Sequence, residues 1–137
     1  KKAPCDGQES DEFRRGVSES RAGEILTRDM ASAQHTVQAA VRVALNDAKY
    51  AALCDFVYNV GPQQFKTSDL LRVVNARQFD QVPLQLRRWV RAGERQVEGL
   101  KNRREREIKL FFDGELTPRA APPAGEDVSP LDIRTGR

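Results

Sequence analysis

Helix-period patterning runs almost without interruption from Ser18 to Phe112, and no segment alternates convincingly with period two. That pattern restricts the chain to packed helices. Ser18 is a suitable N-cap, with Glu19 in the first turn. Ala22, Ile25, Leu26, Met30, Ala33 and Val37 then recur at three- and four-residue spacing, which predicts one buried helix face. Asn46 or Asp47 can cap a second helix, whose apolar positions are Tyr50, Leu53, Phe56, Val57 and Val60. It is apolar around much of its circumference, which predicts a central, buried position, and Gly61-Pro62 ends it.

A loop carrying Phe65 leads to Thr67 or Ser68 as the cap of a shorter third helix with Leu70, Leu71, Val73 and Val74. Asp80 is the expected cap of a fourth, with Pro83 in its first turn, where a missing N–H costs little. Leu84, Leu86, Trp89 and Val90 are its apolar positions, and it is expected to end near Gly93. After Gly99 a fifth helix runs through Leu100, Ile108, Leu110 and Phe111 toward Gly114. The fold class expected of the chain is therefore all-α. Three segments follow: a polar loop over 1–16, a helical domain over 17–114, and a flexible or loosely attached tail over 115–137. The tail is marked by Pro118, Pro122, Pro123, Pro130 and Gly125.

Composition sets the function classes. The chain has 137 residues, one ordinary domain, with 39% hydrophobic and 31% charged residues. A mean hydropathy of -0.65 and the lack of a long apolar run exclude a membrane span. The net charge of +3 mildly favours polyanionic partners. Two cysteines, Cys5 and Cys54, are too few for a disulfide framework; they could pair with each other but are read as two free thiols, Cys54 as a small core residue. One histidine and two distant cysteines form no metal-ligand cluster, and no cofactor is implied. His35, beside Gln34 and Thr36, reads as a surface residue. Arginines at 87, 88, 91, 95, 103, 104 and 106 suggest a nucleic-acid binder, but interleaved acids and the lack of helix-turn-helix spacing argue against one.

Four blocks carry more specific information. They are Ala52-Leu53-Cys54-Asp55-Phe56-Val57-Tyr58-Asn59-Val60-Gly61, then Phe65-Lys66-Thr67-Ser68, then Arg88-Trp89-Val90-Arg91-Ala92-Gly93, and finally Gly99 to Glu107. In order and spacing this series resembles the phage-type lysozyme and endolysin family of glycoside hydrolases, over roughly Val17 to Phe112. The resemblance implies the helical lobe of the α+β lysozyme-like fold. It also implies a monomeric muramidase that acts on peptidoglycan glycan strands at the bacterial cell wall, in the periplasm or after secretion. The alternative is a lysozyme-like module that binds without cutting.

The family's general-acid Glu and its accompanying Asp and Thr are expected before Lys1, so no catalytic residue is assigned within the chain. Glycoside cleavage needs a protonated carboxyl of raised pKa and a second group to handle water or the developing cation. Asp6, Glu9, Asp11 and Glu12 lie on a segment too polar for such a pocket. Asp55, inside an apolar helix, reads as a hydrogen-bonded structural acid.

The resemblance gives supporting roles to four residues. Tyr58 and Asn59 would border the sugar cleft, against the alternatives of a core aromatic and a helix-end amide. Ser68, or its neighbour Thr67, would face the cleft, although a simple N-cap role is fully compatible and is the reading favoured by the residue alone. Arg103 would pair with the catalytic Glu; its alternative is a place on a solvated, salt-bridged face over Arg103–Glu107. Trp89 is expected in the core and Arg88 in a polar contact between helices.

Overall fold

The computed structural model describes residues 20–137, with side chains from Met30 onward. The expectations for the loop over 1–16, its four acids, Cys5 and the Ser18 cap lie outside the described residues, as do the side chains of Ala22, Ile25 and Leu26. Helix α1 spans Ser20–Ala40. It buries Met30, Ala33 and Val37 in one stripe and leaves His35 exposed.

Helix α2, Asp47–Val60, forms the axis of the fold and packs against both α1 and the last helix. Asn46 caps it, its Oδ1 accepting from Lys49 N at 2.8 Å. Ala51 through Val57 are buried without interruption, because this helix is covered on several sides. Gly61 ends it at φ 105, ψ 152, a conformation reserved for glycine. Pro62 then opens a one-turn helix α3, Pro62–Lys66, where the sequence suggested only a loop. It delivers Phe65 to the core, edge-on to Phe56 with ring centroids 6.2 Å apart.

Helix α4, Asp69–Asn75, is capped by Ser68, whose Oγ accepts from Leu71 N at 3.0 Å. A 3-10 turn, Phe79–Gln81, leads into α5, Val82–Leu86, which lacks the side-chain cap expected from Asp80. The expected continuation of this helix to Gly93 does not occur. Trp89–Ala92 is instead strand β1, paired antiparallel with β2, Arg95–Gln96. A two-residue connection joins them and opens on Gly93 at φ 73, where hairpin turns of the II′ kind require glycine. Helix α6, Glu98–Phe111, returns across α2.

The segment after Gly114 was expected to be a loose tail. It contains strand β3, Leu131–Asp132, which pairs parallel with the free edge of β1 in the order β2-β1-β3. The fold is therefore mostly helical with a small three-stranded sheet, α+β rather than all-α. Among the described residues no helix is long and apolar enough to cross a membrane.

Candidate functional site

Where α2 crosses α6, polar side chains enter the core. Arg104 is fully buried, and Glu107 is only 1% exposed. The Arg104 guanidinium donates to Asn59 Oδ1 at 2.6 Å, to Glu107 Oε2 at 3.1 Å and to the Trp89 carbonyl at 3.4 Å. Its Nε faces Glu107 Oε1 at 2.8 Å. The same guanidinium lies 5.1 Å from the centroid of the Phe56 ring, which covers it from the apolar side.

Arg103 forms the outer layer. Its Nη2 donates to Asp55 Oδ1 at 2.8 Å, and its Nε lies 3.5 Å from Glu107 Oε2. The guanidinium stands 5.9 Å from the Tyr58 ring centroid and keeps a partly exposed edge. Two arginines and two acids thus neutralise one another across the helix crossing. Burial pushes the Glu107 carboxyl well above its ordinary value, and a hydrogen bond with Asp55 adds to the rise against the pull of both arginines. Burial likewise lowers the pKa of the Arg104 guanidinium, against the opposing pull of Glu107.

The structure brings together three of the four residues singled out from sequence. Tyr58, Asn59 and Arg103 share this cluster, and Tyr58 also borders a cavity of about 120 Å³ with Ser32, Ala33, Val57, Gly61 and Pro62. Asn59 spends its amide oxygen on Arg104. Ser68 lies apart. Its hydroxyl donates to the Phe65 carbonyl at 2.7 Å while accepting from Leu71 N, so its chemistry is used in the cap. It lines a separate cavity of about 110 Å³ with Gln64, Thr67, Asp69, Arg88, Trp89, Leu131 and Gly136.

The reading of Arg103–Glu107 as a solvated face holds for Glu105 and Arg106, which are exposed, and fails for Arg104 and Glu107. A signal for the failure was present. Leu100, Arg104, Glu107, Ile108 and Phe111 fall on one helix stripe, so the two charges sit at core positions. That Asp55 would pair with Arg103 had no such signal. Trp89 is buried, its ring 5.6 Å from that of Phe56. Arg88 makes the expected polar contacts, donating to Asp69 Oδ2 at 3.0 Å and Gln85 Oε1 at 3.1 Å. No group of three or more metal-ligating side chains occurs among the described residues.

This architecture is lysozyme-like. It superposes on the muramidase domain of SpmX from Asticaccaulis excentricus with a TM-score of 0.63 at 27% identity, covering 66% of this chain and 65% of that one. The sequence model of the family described as phage lysozyme matches residues 5–107, and the chain belongs to that family. Among its relatives, an endolysin of Bacillus phage B103 is 33% identical over 99 residues, 72% of this chain and 38% of that protein. A SAR-endolysin of Enterobacteria phage PA-2 is 36% identical over 91 residues, 66% of this chain. The matched region thus spans only 38% and 55% of these two relatives.

Proposed function

We propose that the protein is a peptidoglycan-degrading lysozyme, a muramidase that cleaves the bond between N-acetylmuramic acid and N-acetylglucosamine at the bacterial cell wall. Residues 20–137 supply one wall of its glycan cleft. Arg103 carries this reading: a guanidinium anchored by Asp55, beside the Tyr58 ring, with an edge left partly exposed. Such a group can hold an incoming carboxylate at a defined position and tune its titration. The Tyr58 ring offers a flat apolar surface to the CH face of a sugar.

The general acid lies outside the described residues. Among those residues, Glu107 is the carboxyl with a raised pKa, and it is sealed beneath Arg103 and Arg104. An acid that protonates a glycosidic oxygen must touch it. Glu107 therefore acts in the structure of the wall and takes no part in bond cleavage.

Two measurements on purified peptidoglycan test the proposal. A chain limited to residues 20–137 should release no reducing ends; clear turnover would overturn the placement of the acid outside those residues. An active preparation should release products ending in N-acetylmuramic acid. Products ending in N-acetylglucosamine would overturn the choice of bond, and glycan binding without release would favour a non-catalytic module.

A further inference from the structure

The segment beyond the family match folds back over the body on the side where Ser68 lies. The match ends at residue 107, whereas the chain continues through 115–137 and includes β3. Leu131 N donates to the Arg88 carbonyl at 2.6 Å and Ile133 N to the Arg91 carbonyl at 3.0 Å. Asp132 Oδ2 accepts from Gly93 N at 2.9 Å, Arg88 Nε donates to the Ser129 carbonyl at 2.9 Å, and Arg91 Nη2 donates to the terminal Arg137 carbonyl. Leu131 and Gly136 then form the outer wall of the small cavity over Thr67, Ser68 and Trp89. The space there is about 110 Å³, room for a few waters.

The approach to this strand is held differently. Glu126 Oε2 accepts from Arg72 Nη2 at 2.6 Å and Gln85 Nε2 at 3.1 Å, and Asp127 lies 3.5 Å from Arg88 Nη2. Asp127 is mostly exposed, so its contact with Arg88 is weak and screened by salt, whereas Glu126 is only 18% exposed and also meets the buried Gln85.

We propose that residues 124–137 form a strap that closes the Ser68 end of the glycan face and thereby sets how long a saccharide the body can hold. This rests on the glycan-binding reading given above. With the strap docked, sugar units reach only the Tyr58–Asn59–Arg103 end. Undocked, the face around Thr67, Ser68 and Asp69 opens and further units bind.

The test measures affinity for N-acetylglucosamine oligomers of two to six units, comparing the full chain with a version ending at Pro123. A second variant, Glu126→Gln with Asp127→Asn, loosens the moorings without removing the strand. The single tryptophan, Trp89, lines the cavity and reports undocking by fluorescence. Removing the strap should tighten binding of the longest oligomers about fivefold and leave the dimer unchanged. The double variant should move the same way by less. Unchanged affinity at every length, with Trp89 fluorescence shifted, would overturn the strap and leave the glycan reading standing. Absence of oligomer binding in all three proteins would overturn the glycan reading and the strap with it. If the shortened chain fails to fold, the double variant decides alone.

Discussion

Glu107 sits with one neighbouring acid and two arginines in a space nearly closed to water, and its titration follows from that. Its carboxyl is raised above the ordinary 4.5, first by burial and then by the hydrogen bond with Asp55. Below that ordinary value the folded and unfolded chains both hold the proton, and the native preference for the protonated form is fully expressed. As pH rises from 4.5 toward the folded value, the unfolded chain has released a proton that the native chain retains, so stability falls across that window. Urea unfolding from pH 4 upward should show this decline in the wild type and a flatter profile in Glu107→Gln. A profile for the variant as steep as the wild type would assign the slope to another group. The position of Glu107 was legible in the sequence, since it shares a helix stripe with Ile108 and Phe111. Its partner Asp55 lies on another helix and was not, because no local rule links residues so far apart in sequence.

At the scale of elements, boundaries set by backbone chemistry were readable and those set by neighbours were not. Gly61-Pro62 marks the end of α2 because only glycine adopts φ 105 with ψ 152, and proline cannot continue a helix that has begun before it. A Cβ at residue 61 would meet nothing within 4 Å, so the cost of Gly61→Ala is backbone strain alone. Thermal unfolding should show a loss of about 1–3 kcal/mol. A smaller effect would mean that the turn can relax. The helix expected through Trp89 failed for a different reason. Trp89 and Val90 suit either a helix face or a strand, and here Gly93 turns the chain back so that β2 pairs with Arg91 and Ala92 while Trp89 pairs with Leu131 of β3. The pairing of β3 was invisible, since a two-residue strand far along the chain carries no period of its own.

Across the whole molecule, Lys49 ties the start of α2 to the end of α6. Its ammonium donates to the Phe111 carbonyl at 3.0 Å and to Glu115 Oε2 at 2.9 Å. It lies 4.8 Å from the Phe111 ring centroid, 5.1 Å from Phe112 and 5.6 Å from Phe79. A cation at the carboxyl end of α6 also complements the helix dipole. Lys49→Met keeps the apolar stem, removes these contacts and leaves the Phe111 carbonyl without its lysine donor. Denaturant unfolding should show a loss of about 1–2 kcal/mol in a single transition. Stability equal to the wild type would mean that burying the charge costs as much as the cage returns.

The sequence by itself determined the helices with strong periodicity, the central place of α2 and the lysozyme family. These follow from residues close along the chain or from blocks in a recognisable order. Only the tertiary structure decided the sheet, the return of the C-terminal segment onto β1 over the cavity beside Ser68, and the Asp55–Arg103 pair. Each depends on which distant groups are brought within hydrogen-bonding reach, a matter of packing that no local pattern encodes.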